Sequence, residues 1–540
     1  MKNFLGRETM SKYLKIYWKQ NLILTLIITF GACSQILAGV MNARAFNALI
    51  SLDLEDFLQS MLIIFSLLSF YIISLLIRIP YEAKVIQMMS IKTREDITKS
   101  FEKMTYQNYH NYKAGTFVSW LTNDISTIEQ NGYTNLYALL TLIIEMVLAA
   151  IALMFFHWSI ILFSIVISVV TIFLPKLVQK NVNIAMSALS KEQENFVISV
   201  TSVIKGFDTL FAYNLLSVLT QKVLKASDTL ADKKIKQMKS LTYSAILGAS
   251  GNVIGQVGVL VLTGILAFQR VVSIGSITAT ESLSNKIFNG LGNITNIIVE
   301  MKTVQPIFEK FEQLTVDNNP KESFVIKNDE IKIENLNYNY GKSLLWRNLS
   351  YIFKSGGKYA IIGASGSGKT TLLNILNGKL SDYIGSVTVY GNELKTVNNK
   401  QIRDEIIYLD QTPYMFEGTI QENIELGQHF LDEDLWTALK DAGLKEYVKS
   451  LPDGLNTDIG EDGRNLSGGQ KQRLALARGL IRGKKIVLLD EGTSSLDKHN
   501  AIEIESNLMS NQDITLIMVT HNIREGIREN LTGILDLNSI

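Results

Sequence analysis

The sequence predicts two unlike folds in one chain: an all-α membrane domain of about six transmembrane helices, followed by an α/β domain. Three observations predict it. Nearly uncharged runs of bilayer length fill the first half. Basic residues gather between some of those runs and not others. Beyond about residue 320, short β-branched runs alternate with amphipathic stretches around a glycine-rich loop. Composition averages over this division: 540 residues, 47% hydrophobic, 19% charged, formal net charge +1. That balance excludes disordered and coiled-coil chains, which need more charge and fewer aromatic residues. It lacks the basic excess of a nucleic-acid binder, so no nucleic-acid partner is expected. The single cysteine, Cys33, excludes an intramolecular disulfide framework and a zinc site of several thiolates.

Lys2, Arg7, Lys12, Lys15 and Lys19 precede the first run, residues 21–41. A length of about 20 residues suits a spanning helix and is long for a signal peptide's apolar stretch. Further runs cover 57–79, 136–156 and 158–174, the last two separated only by a break at His157. The fifth, 241–268, carries Gly251-x-x-x-Gly255, a spacing that lets helices approach closely. A sixth, about 271–299, is interrupted by Glu281, Lys286 and several asparagines. A helix lining a polar interior suits it better than lipid exposure. Arg44 is the only basic residue between the first two runs, whereas Arg78, Lys84, Lys92, Arg94, Lys99, Lys103 and Lys113 separate the second from the third. The stretch 176–239 is similarly basic. Lysine and arginine favour the cytoplasmic side, which places the N-terminus and both long connections there.

The expected division is a membrane domain over 1–315, a linker over 316–330 and a nucleotide-binding domain over 331–540. The linker contains the polar, turn-rich Asp317-Asn318-Asn319-Pro320-Lys321. Strand-like runs at 359–362, 485–489 and 514–519 alternate with helical stretches, the pattern of a largely parallel sheet.

After the first of these strands comes Gly363-Ala-Ser365-Gly366-Ser367-Gly368-Lys369-Thr370, followed by Thr371. The glycines let backbone N–H groups wrap phosphates at a helix start, where the dipole favours anions. Lys369 supplies a point charge to the β- and γ-phosphates, and Thr370 a hydroxyl to Mg²⁺. The strand 485–489 ends in Asp490-Glu491, an acidic pair suited to the metal (Asp490) and to the attacking water (Glu491). ATP and Mg²⁺ are the expected ligands.

Between these sites stands Leu466-Ser467-Gly468-Gly469-Gln470, which resembles the signature of ATP-binding cassette (ABC) proteins. The resemblance extends in order over about 331–535. Gln411 matches the Q-loop, which implies a role toward Mg²⁺ and the attacking water. Residues 494–497, ending in Asp497, match the D-loop, and His521 matches the switch histidine that holds the γ-phosphate. Tyr340 matches the adenine-stacking aromatic, with Tyr338 as the neighbouring alternative. Ser467, Gly468, Gly469 and Gln470 are implied to grip the ATP of a second cassette. Two departures stand out: Gly492 replaces the usual alanine, and the chain ends soon after residue 536, where such cassettes usually continue.

The fused order, membrane half first, resembles the type IV exporter group of ABC half-transporters. Residues 457–463 resemble its X-loop, 115–124 its first coupling segment and 201–211 its second. An ATP sandwich needs two cassettes, so the resemblance implies a homodimer or a pair with a paralogous half-transporter in a lipid bilayer. Alternating access driven by ATP follows. For the pathway, Glu145 lies inside the third run and would attract cationic cargo or pair with a neighbouring helix. Glu281 and Lys286 would pair with each other or line the pathway; Asn252 and Gln256 suit interhelical hydrogen bonds. The absence of a preceding protease domain argues against a leader-cleaving peptide exporter. The expected activity is ATP-driven export of an amphiphilic small molecule or small peptide. A lipid flippase, an importer of a metal chelate and a regulatory ATPase are alternatives. The composition suits a bacterial plasma membrane with the cassette cytoplasmic.

Overall fold

The computed structural model describes residues 9–312, 323–340, 343–397, 399–490, 505–520, 523 and 528–539. Contacts divide the chain into two compact units, Met1–Glu102 with Lys113–Thr315, and Lys103–Tyr112 with Val316–Ile540.

The first unit is helical. Five helices are long and apolar enough to cross a membrane: α1 (Trp18–Ile50), α2 (Leu54–Glu102), α4 (Ala114–Phe156), α5 (Trp158–Lys205) and α6 (Ser217–Phe268). The short α3 (Tyr106–His110) falls between α2 and α4 and belongs to the second unit. At 1.5 Å per residue α2 and α6 run about 75 Å, more than twice a hydrocarbon core of about 30 Å, so both continue into water. The sixth expected span is helical as α7 (Ser276–Lys302) but is not among the five. Glu281, Lys286 and its asparagines hold its apolarity down, and it begins after a turn in which Arg270 takes φ 58°.

Two apolar clusters hold this unit together. One gathers Leu24, Met89, Ile125, Ile128, Tyr133 and Met301; the other gathers Ile36, Leu153, Ile160, Val259, Leu283 and Phe288. The glycine spacing on α6 serves close approach. A Cβ on Gly251 would lie 2.6 Å from the Thr171 hydroxyl of α5, and one on Gly255 2.5 Å from the Phe288 ring of α7. Leu26, Phe30, Leu62, Phe65, Leu76, Phe155, Val253 and Val261 point outward, a surface suited to lipid.

The second unit carries two sheets. An antiparallel one has the order β2–β1–β4–β5, from β1 (Glu330–Tyr340), β2 (Ser343–Lys354), β4 (Ile384–Val389) and β5 (Asn392–Glu393). The parallel one has the order β6–β7–β8–β3–β9, from β3 (Lys358–Ile362), β6 (Ile406–Leu409), β7 (Ile486–Asp490), β8 (Thr515–Val519) and β9 (Gly533–Asp536). β7 and β8 are buried at every position, which is why they read as unbroken apolar runs rather than alternating ones. β8 lies between β3 and β7, so the carboxyl ends of β3 and β7 flank one crevice.

Candidate functional site

β3 feeds the glycine loop, and the loop feeds α8 (Lys369–Leu376). Gly366 and Gly368 take φ 85° and 93°, a left-handed turn that side chains resist. A Cβ on Gly368 would strike the Trp346 ring. Trp346, buried on β2, donates its indole N–H to the Ser367 carbonyl at 2.8 Å and so holds the loop from the antiparallel sheet. Lys369 is 5% exposed and its ammonium donates to the carbonyls of Gly363 (2.9 Å) and Ala364 (3.1 Å). From the other side, Asn538 accepts from the Ala364 N–H at 2.8 Å. Ser367 Oγ is buried with no hydrogen-bond partner among the described residues, while Ser365, Gly366 and Thr370 are exposed. An unpartnered hydroxyl among exposed loop positions fits a phosphate-bearing ligand.

Thr370 and Asp490, 120 positions apart in sequence, meet across this crevice: Thr370 Oγ1 donates to Asp490 Oδ1 at 3.0 Å. The second carboxylate oxygen accepts from the Tyr408 hydroxyl of β6 at 3.1 Å. Tyr408 therefore fixes which oxygen Asp490 turns toward Thr370. Paired hydroxyl and carboxylate oxygens suit Mg²⁺. Burial, with Asp490 and Asp410 nearby, pushes the Tyr408 hydroxyl well above its ordinary pKa, so it stays protonated as a donor. Lys379 lies 3.7 Å over the Tyr408 ring, and burial lowers its pKa.

Gln411 is exposed and does not reach Thr370 or Asp490 through any hydrogen bond among the described residues; its carbonyl accepts from Gln472 at 3.2 Å. Arg478 reinforces this link, donating to the carbonyls of Tyr414 (2.7 Å) and Asn423 (2.6 Å). Burial, with Arg482 nearby, holds its pKa down to about 10. Both residues lie on α9 (Gly468–Leu480), which the signature opens. Ser467 caps α9, accepting from the Gln470 N–H, and Gln470 returns its side-chain oxygen to the Ser467 N–H at 2.7 Å. Both side chains are thus used in a capping box within the chain. Gly468 is exposed with open space around it, whereas Gly469 is buried, so the two glycines expected to present N–H groups alike differ. Thr371 is half-buried beside Thr370 at the start of α8. Tyr340 lies on β1, and Tyr338 is buried against Trp346 with ring centroids 6.0 Å apart, committing it to the core. Glu491, Asp497 and His521 lie outside the described residues.

The stretch expected as the first coupling segment and its neighbour fall in different units. Residues 115–124 belong to the helical unit, and Lys103–Tyr112 is the stretch that joins the nucleotide-binding one. Thr105 caps α3, Gln107 donates to Asp382 at 3.3 Å, and Lys379 lies 5.2 Å over the Tyr106 ring. Three tyrosines at 106, 109 and 112 were the signal sequence reading passed over.

In the helical unit, Lys286 does not pair with Glu281. It bonds Glu145 on α4 at 3.1 Å and Gln35 on α1 at 2.8 Å, because a spacing of five puts Glu281 on another face. The Glu145 charge is thereby met within the bundle. Asn252 donates to Asn289 on α7 at 2.5 Å and accepts from Gln256 at 2.6 Å, so both are hydrogen-bonded between or along helices.

Set beside known proteins, residues 22–291 match the ABC transporter transmembrane region and 346–494 the ABC transporter domain. The chain is 29% identical over 449 residues to the ATP-dependent lipid A-core flippase of Photobacterium profundum, covering 80% of this chain and 75% of that protein. It is 25% identical over 553 residues to the multidrug resistance-like ATP-binding protein MdlB of Buchnera aphidicola subsp. Schizaphis graminum, covering 97% and 92%. A solved bacterial Atm1-family ABC exporter with ATP bound superposes with TM-score 0.82 at 19% identity, covering 97% of this chain and 94% of that one.

Proposed function

The chain belongs to the ABC transporters, as a multi-pass half-transporter with the type IV exporter fold, and on that premise we propose that it is an ATP-driven exporter of an amphiphilic small molecule or small peptide. The observation that carries the reading is the meeting of Thr370 and Asp490 beside a glycine loop pinned by Trp346 and Asn538. In this reading two copies form a homodimer in a bacterial plasma membrane, cassettes in the cytoplasm, and Gly468 of each faces the ATP held by the other.

The loop N–H groups and Lys369 hold the phosphates, and Thr370 with Asp490 would hold Mg²⁺. Bound there, the metal would neutralise charge on the β- and γ-phosphate oxygens. Asp490, oriented by Tyr408, keeps one oxygen toward Thr370. Glu491 takes the proton of the attacking water, Gln411 orients that water, and His521 holds the γ-phosphate. Tyr340 stacks on the base and Asp497 lies at the contact between cassettes. ATP favours the closed pair of cassettes, and differential affinity for that state drives the helices between their two arrangements. The α3 segment, clustered with the nucleotide-binding unit, is the natural handle for transmitting the change.

The test is reconstitution in lipid vesicles with ATP and a panel of cations, peptides and labelled lipids. Export predicts that at least one class crosses only with hydrolysable ATP and that Glu491→Gln retains ATP while stopping transport. If nothing crosses or stimulates hydrolysis while Glu491→Gln still traps ATP, the regulatory reading replaces it.

A further inference from the structure

We propose that an asparagine ladder on α7 binds the main chain of an extended peptide cargo, whatever its side chains; this rests on the transporter reading above. Glu281, Asn285, Asn289, Asn293, Asn296 and Glu300 are all exposed, and their spacing of three or four residues puts them on one face of the helix. Ala279, Leu283, Ile287, Phe288 and Leu291 are buried. A carboxamide turned to hydrocarbon forfeits hydrogen bonds at a cost of several kcal/mol, roughly 4–8 on the water-to-cyclohexane scale. A row of four therefore belongs to a polar path rather than to lipid.

A cavity of about 230 Å³ opens at this row, lined among others by Thr171, Asn252, Asn289, Gly292, Asn293 and Asn296. Part of the row is already ordered: Gln256 donates to Asn252, Asn252 to Asn289, and Asn289 to Asn285. Asn293 and Asn296 line the cavity with no hydrogen bond among the described residues, so their amides are free for a ligand. Nothing fills the space beside Gly292, which permits close approach of another backbone.

Chemistry and spacing converge on a peptide. A carboxamide has one acceptor oxygen and two donor hydrogens, the complement of both halves of a peptide group. No charged side chain stands among the four asparagines on this face, and Lys286 is occupied by Glu145 and Gln35. Glu281 and Glu300 bring charge only to the two ends of the row, and Asn135 donates to Glu300 at 2.7 Å. Among the described residues the cavity lining includes no aromatic ring on which a sugar would stack. Positions four apart on a helix rise about 6 Å. An extended strand presents its N–H and C=O groups to the same side every second residue, about 6.6–6.8 Å. A slight tilt matches the two repeats from Asn285 to Asn293, and the last step, to Asn296, rises about 4.5 Å. From Asn285 to Asn296 the ladder runs about 16 Å, which accommodates about five extended residues. Main-chain pairing of this kind supplies affinity without a fixed sequence, as in strand addition to a sheet edge.

The test uses the full chain in lipid vesicles without nucleotide. It is incubated with N-acetylated, C-amidated random heptapeptides, and retained peptide is quantified by mass spectrometry. The same library N-methylated at alternate residues keeps every side chain and loses N–H donors. Retention of the unmethylated library is expected, with a drop of about tenfold on methylation and a comparable drop for N293A/N296A, a double variant whose folding is checked by its melting temperature. Equal retention of both libraries, or of neither, overturns the proposal. If neither is retained while a fluorescent phospholipid analogue crosses with ATP, the transporter reading stands without this one; if nothing crosses, both fall. A disulfide between two copies carrying Asn293→Cys in a Cys33→Ala background, unhindered by the heptapeptides, marks the row as a contact between copies and also overturns it.

Discussion

The nucleotide-binding unit and the helical unit place their polar groups by opposite means. In the first, a single loop supplies Lys369 and Thr370 in succession, and adjacent parallel strands deliver Asp490 and Tyr408 to the same point. In the second, no loop does this work; asparagines recur along one face of α7, and the glycines of α6 let that helix close on its neighbours. The difference teaches that a converging site depends on a few hydrogen bonds and a distributed one on spacing. Substitutions should therefore act sharply in the first unit and by degrees in the second.

The largest effect belongs to Asp490→Asn. It leaves the Thr370 hydroxyl without its charged acceptor, and phosphate release should fall at least about 100-fold, the scale of losing one electrostatic contact to the transition state. A loss under tenfold breaks the convergence described for this crevice. Next comes Trp346→Phe, which keeps an aromatic ring beside Gly368 and removes the bond to Ser367. At about 1 kcal/mol per hydrogen bond the apparent ATP affinity should weaken about fivefold to tenfold, read by fluorescent-nucleotide titration. Tyr408→Phe frees one oxygen of Asp490. Binding of Mn²⁺ in the presence of ATP, followed by electron paramagnetic resonance, should weaken about threefold to fivefold, with metal-free nucleotide binding little changed.

A pair of glycine substitutions sharpens the contrast within α6. Gly255→Ala puts a methyl into the Phe288 ring, and overpacking costs about 1–3 kcal/mol. Gly264→Ala meets open space and gains helix propensity of about 1 kcal/mol. The first should lower the melting temperature in detergent by a few degrees and the second leave it level or raise it. Equal shifts would mean that the seam is not close-packed.

Legibility followed the same division. The loop, the acidic pair and the signature are contiguous, so their residue types announce them. Trp346, Tyr408, Lys379, Arg478, Gln472 and Asn538 are single residues brought in from other strands and helices, and no local pattern marks them. The polar interior expected for the sixth run was legible from Glu281, Lys286 and the asparagines, whereas the single face the asparagines form follows from their spacing of three to four along α7. The Lys286 partner was missed for a related reason: Glu145 lies on another helix, 141 positions away, and only packing brings it within 3.1 Å. No local pattern marks Lys103–Tyr112 as part of the nucleotide-binding unit; its tyrosines lie just before Gly115, and only packing assigns them there.

The central claim is that ATP turnover and movement of cargo are one activity. Its most direct measurement is peptide accumulated per phosphate released in inside-out vesicles, with wild type and Asp490→Asn compared side by side. The account predicts ATP-dependent accumulation of the heptapeptide library that falls in step with phosphate release in the variant. Accumulation that persists at wild-type level while phosphate release collapses would contradict it.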